Sequence, residues 1–329
     1  MQVQSPKNEQ CSLNKQVKLA ISSCLLGQEV RFDGGHKRNV FVQEALSQVA
    51  EFVPLCPEVA IGMGIPRESI RLVEDDDGEI KLLGTRSKQE WTAPMQRYAH
   101  EIAQWLEEQD ICGFIFTKNS PSCGLFRVKI YNPKGSPSRR DGRGLFSEII
   151  TQHHPLLPVE EGGRLNDPAL RDLFLTRVFA YKRAQSLLDM DSVSSLVQFH
   201  ANEKLLLLAY NEPVLRELGR IVASAKQRPL QQVTKAYREL FLSAFNEVAS
   251  LKRHANVLLR TIGHLKKITT AEEVASLHEA VEGYRTRKLP RSVPLSFIRH
   301  FGKMNDNEYI KQQTYLSPYP EELVELGWS

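Results

Sequence analysis

VKLAISSC (17–24), FVPLC (52–56) and ICGFIFTKNSPSC (111–123) decide the fold. Each is a short apolar run that gives way to a cysteine, directly or after a few polar residues. Runs of this length, bounded by turn-forming residues, read as strands. Between them the period changes. Phe41, Ala45, Leu46 and Val49 recur at helical spacing, and Met95, Ala99, Ile102, Ala103 and Leu106 share one face of a helix predicted over 89–108. IRLVEDDDGEIKLLG (70–84) reads as a hairpin whose acidic residues and Gly78 form a solvated tip. FRVKIYN (126–132) reads as a further strand, and GLFSEIIT (144–151) as a helix leading into PLLPVEE (155–161). Strands alternating with helices predict an α/β domain with a mostly parallel, doubly wound sheet.

The rest of the chain carries almost no strand signal. NDPALRDLFLTRVFAYKRAQSLL (166–188) has Asn166 and Asp167 ahead of Pro168, a good helix start. Helical spacing continues through 193–210, 213–225, 230–262, 271–286 and 294–301, with Pro213, Pro229, Pro290 and Pro294 as breaks. The boundary is expected in EEGGRLND (160–167), dividing the chain into an α/β domain over 1–165 and an all-α domain over 166–329. A length of 329 residues suits two domains at about 150 residues each.

Charge follows the same division. The net charge is +4, and residues 1–160 carry 19 basic and 20 acidic side chains, so the excess lies beyond them. A modest basic bias permits an anionic partner without demanding one. The polar start and the lack of an apolar run of about 18 residues point to a cytoplasmic protein with no membrane segment.

All five cysteines lie in the first 123 residues. Cys24, Cys56 and Cys123 each follow a strand. In an open parallel sheet the loops at the carboxyl ends of the strands form the ligand crevice, so these thiols can meet although distant in sequence. Cys112 begins a strand and belongs at the opposite edge as a core residue, while Cys11 lies in the polar N-terminal segment. Three thiolates would suit zinc with an open position, an iron–sulfur cluster with one iron free of protein, or unconnected structural roles.

The residues around the cysteines resemble a known family. SSCLLGQEVRFDGG (22–35), CPEVAIGMGIPR (56–67) and NSPSCG (119–124) together resemble the thiouracil desulfidase family over roughly residues 17–161, ending in LPVEEGGRL. FHANEKLLLLAY (199–210) and ELGRIVA (217–223) look like the YbgA-like domain, often fused to the first. The resemblance implies a Rossmann-like sandwich, a 4Fe–4S cluster held by Cys24, Cys56 and Cys123, and removal of sulfur from 2-thiouracil, a small thionucleobase. Phe32 stands where that family usually has Tyr in RYDG, and AIGMGIP replaces a GGLxxP run. Both departures touch the pocket lining and hence substrate choice.

Desulfurising a thiocarbonyl needs a soft acceptor for sulfur, a water nucleophile and a proton acceptor. Glu58, two residues beyond Cys56, is the candidate general base; its other reading is a helix cap or a partner of Arg67. Asp33, in RFDGG, could accept ring N–H bonds or form an Asx turn before Gly34. Asn119, Ser120 and Ser122 flank a proline beside Cys123 and could bind substrate, move a proton or donate to cluster sulfides, with Ser120 favoured. In the helical half, His200, Glu203 and Lys204 share one face, and His254, Arg260, His264, Lys267 and Tyr284–Arg285 recur later. They could line a groove for an anionic ligand, RNA or DNA among them, although hydrogen-bonded packing is the plainer reading. No HExxH, glycine-rich phosphate loop or zinc-finger spacing occurs.

Overall fold

The computed structural model of the protein describes residues 17–266 and 268–323; Cys11 and Lys267 lie outside them. The described residues contain strands β1 (Val17–Ser22), β2 (Ala50–Leu55), β3 (Ile70–Glu74), β4 (Ile80–Gly84), β5 (Ile111–Phe116), β6 (Val128–Tyr131), β7 (Pro137–Gly142) and β8 (Val159–Glu161). They form two sheets. The first is wholly parallel in the order β2-β1-β5-β8, and the second is mixed in the order β4-β3-β6-β7. Pro54, which cannot donate to a ladder, is tolerated because β2 is an edge strand.

Helices α1 (Pro57–Ala60), α2 (Thr92–Glu107), α3 (Leu145–His153) and α4 (Pro168–Gln185) surround the parallel sheet. On one face, Met95, Ala99 and Ala103 of α2 and Phe146 and Ile150 of α3 pack on Ala20, Phe114 and Phe116. Phe114 and Phe116 stack 3.8 Å apart, with Phe146 edge-on to both. Each fully buried aromatic of this kind contributes about 1.5–3 kcal/mol. On the other face, Phe174, Leu175 and Val178 of α4 pack on Leu19, Ile21, Cys112 and Ile115, together with Phe41 and Leu46. The helical spacing of Phe41–Val49 is realised as a π-type turn, Phe41–Ala45, followed by a 3₁₀ turn, Leu46–Gln48.

Beyond α4 come α5 (Val193–Tyr210), α6 (Glu212–Ala223), α7 (Leu230–Ser243), α8 (Leu251–Leu265), α9 (Ala271–Arg285), α10 (Ser292–Met304) and the short α11 (Glu308–Lys311). The run Leu205–Leu207, Ala209 and Tyr210 is buried because α5 is enclosed by neighbouring helices, α6 and α8 among them. The caps follow the sequence: Asp167, Ser192, Asn211, Ser250 and Thr270 each accept a backbone N–H at a helix start.

The parallel-sheet region followed by a helical one is the architecture read from the sequence, with three differences. The chain has a second, mixed sheet, and its strand β7 (PSRRDG) has no apolar alternation because it is an edge strand with largely exposed residues. The helix expected over 230–262 is two, α7 and α8. Phe245 and Ala249 in the connecting loop are buried, so apolar residues continue through the break. Finally, α4 belongs to two cores: Phe174, Leu175, Val178 and Phe179 pack in the core on the parallel sheet, whereas Ala180 and Ala184, with Leu187 just beyond the helix, join the helical core. No helix among the described residues is long and apolar enough to cross a membrane.

Candidate functional site

The chain steps from β1 to β2 on one side and then to β5 on the other, so the crossover direction reverses at β1. The crevice outside the carboxyl ends of the strands at such a reversal is the ligand site of open α/β sheets. Cys24 lies in the 3₁₀ turn after β1, Cys56 between β2 and α1, and Cys123 in the loop after β5. All three line one cavity of about 210 Å³. Cys24 packs with the core on one sheet face and Cys123 with the core on the other; both are buried, and Cys56 is half-buried. Cys112 sits at the start of β5, away from this cavity, its thiol against the Asp110 carbonyl.

Glu58 enters the cavity from α1. Its carboxylate pairs with Arg67, whose Nη1 also donates to the carbonyls of Val30 at 2.9 Å and Gly64 at 3.1 Å. The Ser122 hydroxyl donates to Glu58 Oε1, and Ser120 Oγ lies 3.4 Å from the same oxygen and 2.8 Å from Ser122 Oγ. Ser120 Oγ also accepts the backbone N–H of Cys123 at 3.2 Å. The two serines differ in access: Ser120 lines the cavity, whereas Ser122 is fully buried behind it. The loop is drawn in tightly. A Cβ on Gly144 would stand 2.5 Å from the Ser122 carbonyl, so the residue opposite this loop has to be glycine. Asn119 lines the cavity with φ +58°, a left-handed conformation that Asn tolerates better than most residues.

Asp33 stands outside the wall. It is exposed, accepts the Gly35 N–H at 3.2 Å as an Asx turn, and pairs with Arg31 at 3.2 Å. Arg31 and Phe32 do line the cavity, with the guanidinium 5.3 Å from the ring centre.

Burial dominates the thiols. It raises Cys24, with the Thr117 hydroxyl and the Lys37 ammonium opposing it, and it raises Cys56. Cys123 is pushed well above the ordinary thiol value by burial, then by the nearby Glu58 carboxylate and the other thiols. Thiols in this state become ligands when a metal displaces their protons. Among the described residues no three His, Cys, Asp or Glu side chains are grouped to hold a single metal ion. Three soft donors around one cavity, with the buried Thr117 hydroxyl unpaired beside them, are a donor set that fits an iron–sulfur cluster.

A second cavity of about 540 Å³ adjoins the first, sharing Ser69, Ile70, Asn119 and Pro121. It is basic, with Arg71, Arg127, Lys129 and Arg140 in its wall. Arg71 lies over the Tyr131 ring and its Nε has no partner. The sequence reading passed over this shelf. Its signal is faint: a cation in each of IRLVE, FRVKIYN and PSRRDG, with pairing of β3, β6 and β7 needed to gather them.

The helical candidates are held by packing. His200 Nδ1 lies 3.0 Å from the Tyr237 hydroxyl, and the buried Glu203 pairs with Arg183. His254 contacts Tyr315 and Arg291, and Arg291 pairs with Asp172 at 2.5 Å. The acidic tip behaves as a turn, with Asp75 accepting the N–H groups of Asp77 and Glu79.

Comparison with known proteins matches two separate stretches of the chain. Residues 19–162 match the family model described as 2-thiouracil desulfurase, and residues 204–320 match that of a protein of unknown function, DUF1722. The uncharacterized protein YbgA of Escherichia coli (strain K12) is 26% identical over 151 residues, covering 45% of this chain and 89% of that protein. The uncharacterized protein YbbK of Bacillus subtilis (strain 168) is 29% identical over 139 residues, 41% of this chain and 89% of that protein. A solved structure described as the 4Fe-4S-dependent thiouracil desulfidase TudS is 30% identical, covers 47% of this chain and 97% of its own, and superposes with a TM-score of 0.37.

Proposed function

Residues 19–162 form a domain of the 2-thiouracil desulfurase family, followed over 204–320 by a DUF1722 region, and from that premise we propose that this protein removes sulfur from a thiolated pyrimidine. The observation that carries the reading is the convergence of Cys24, Cys56 and Cys123, from the ends of three neighbouring strands, on one cavity with Glu58 and Ser120 in its wall.

The reaction exchanges C=S and water for C=O and hydrogen sulfide. A carbon–oxygen bond forms, the carbon–sulfur bond breaks, and the two water protons end on sulfur. A 4Fe–4S cluster held by Cys24, Cys56 and Cys123 would supply, when bound, a soft Lewis-acidic iron for the sulfur. Glu58 takes a proton from the attacking water. Arg67 and Ser122 hold its carboxylate in place, so Ser122 acts as a positioning residue. Ser120, which lines the cavity, relays the proton or bonds the substrate. Asn119 meets the pyrimidine at the mouth, and Asp33 acts through Arg31. The working division is 1–165 for catalysis and 166–329 for the helical domain; α4 packs in both cores, so a cut at 165 leaves one sheet face bare.

The test is anaerobic reconstitution of the full chain followed by a sulfide-release assay. About four irons and four sulfides per chain, with sulfide and uracil formed from 2-thiouracil, support the proposal. A chain that takes up no iron, or a loaded chain inert toward every thiopyrimidine offered, defeats it.

The basic shelf favours a second reading, in which the thiolated base arrives on a phosphate-bearing nucleotide or strand. Four cations beside the cysteine cavity suit phosphate, whereas the free base would leave them idle. Turnover of 2-thiouracil, a thiouridine monophosphate and a thiolated RNA oligonucleotide at two salt concentrations separates the readings. Salt-sensitive KM confined to the phosphate-bearing substrates supports the second.

A further inference from the structure

Thr117 follows β5 directly, and its backbone N–H donates to Ser22 Oγ at 3.0 Å, tying the carboxyl end of β5 to that of β1. Cys24 stands two residues beyond Ser22. The Thr117 residue is 8% exposed and lines the cysteine cavity, yet its hydroxyl has no hydrogen-bond partner among the described residues. A buried hydroxyl left unpaired keeps its desolvation penalty with nothing to offset it. Valine would fill the same space without that cost, so the hydroxyl is accounted for by an acceptor that arrives with the site's occupant. The Thr117–Ser22 bond sets this residue beside the 3₁₀ turn that carries Cys24, and both residues line the same cavity.

We propose that Thr117 is a positioning residue for the Cys24 ligand, its hydroxyl donating to the Cys24 thiolate when a cluster is bound. This rests on the cluster reading above and adds to it a residue outside the ligand set. Hydrogen bonds to ligand sulfurs withdraw charge from the metal, which raises the reduction potential and strengthens the Lewis acidity of the irons. Ser120 and Ser122 stand toward Cys123, on the other side of the cavity, where Ser122 Oγ lies 3.7 Å from the Cys123 sulfur. The Ser122 proton goes to Glu58, whereas the Thr117 proton has no acceptor of its own, and Cys56 has the Val30 carbonyl, an acceptor, at 3.8 Å.

The experiment uses the full-length, anaerobically reconstituted protein. In Thr117→Val the cluster potential, followed by redox titration, shifts to more negative values. The iron–thiolate stretching frequencies in the resonance Raman spectrum change, and kcat for sulfide release from 2-thiouracil falls about 10-fold with KM held. Thr117→Ser restores potential, spectrum and kcat. A Val variant with wild-type potential and spectrum overturns the proposal, and so does one in which only KM rises, because the hydroxyl then serves the substrate. Should the Val variant bind no iron, Thr117→Ala and Thr117→Ser are compared, and equal potentials overturn it. Wild-type protein that takes up no iron defeats the cluster reading itself; normal loading with indifferent variants defeats this inference alone.

Discussion

The cysteine cavity and the polar cluster around Asp172 both gather polar groups away from solvent and use them in opposite ways. In the cluster, Asp172 accepts from Arg291 at 2.5 Å, Tyr319 at 2.7 Å and Tyr210 at 3.3 Å, while His254 lies between Tyr315 and Arg291. None of these side chains is among the unpaired buried atoms of the described residues. Around the cysteines, Thr117 Oγ1 and Arg67 Nε are unpaired, as is Arg71 Nε in the adjoining shelf. Buried polar groups that satisfy one another hold helices together; those left waiting around a cavity mark where something else binds.

The contrast breaks most decisively at the cysteines. Cys24→Ala, Cys56→Ala and Cys123→Ala should each abolish iron uptake and sulfide release while leaving the unfolding midpoint little changed; normal turnover in any of them ends the model. Next in size, Glu58→Gln should keep its iron and lose about 10²–10⁴-fold in kcat, read from steady-state kinetics at constant iron content.

Arg291→Met should do the reverse. It leaves Asp172 buried without its cation and should cost about 3–5 kcal/mol of stability, measured by denaturant unfolding, with kcat of the folded protein unchanged. A cost below about 1 kcal/mol would show that the cluster is not what joins α4 to α10.

Acid probes the same cluster more gently. Burial, followed by the Arg291 cation, holds His254 down to about 3, against an ordinary value of 6.5. The unfolded chain takes up this proton below about 6.5 and the folded chain only near 3. The unfolded state therefore binds more protons across that window, and stability falls as pH drops through it, by at most about 1.4 kcal/mol per pH unit. Above about 6.5 this contribution is flat. Burial pushes Asp172 up, but Arg291 and the Tyr319 hydroxyl outweigh it and hold the carboxyl low, so its loss follows at still lower pH. Melting temperatures between pH 8 and 5 should show the decline, and His254→Gln should reduce it. The smallest effect is reserved for Asp33→Ala. Its exposed pair with Arg31 contributes about 0–1 kcal/mol, so KM should change less than about fivefold; a larger change would place Asp33 on the substrate.

Much of this was legible along the chain. The strand ends before Cys24, Cys56 and Cys123, the hairpin over 70–84 and the helices over 193–210 and 271–286 follow from period and turn chemistry, which act between near neighbours. The neighbourhood of Glu58 was half legible: a pair with Arg67 was one of two readings, and the structure has that pair together with bonds from Ser120 and Ser122. The break between α7 and α8 was hidden because a buried loop is as apolar as a helix face, and β7 because an exposed edge strand needs no apolar alternation.

By itself the sequence determined which segments are strands and helices, that three thiols follow strands, and where polar starts cap helices. The tertiary structure alone decided that β2, β1 and β5 lie side by side, which gathers those thiols, and that Ser120 faces the cavity while Ser122 is buried behind it. It alone placed α4 in two cores and Arg71, Arg127, Lys129 and Arg140 on one shelf. The reason is range. Periodicity and capping are set by residues within a few positions of one another, whereas strand order and the contents of a cavity depend on contacts between segments far apart in the chain, which no local pattern encodes.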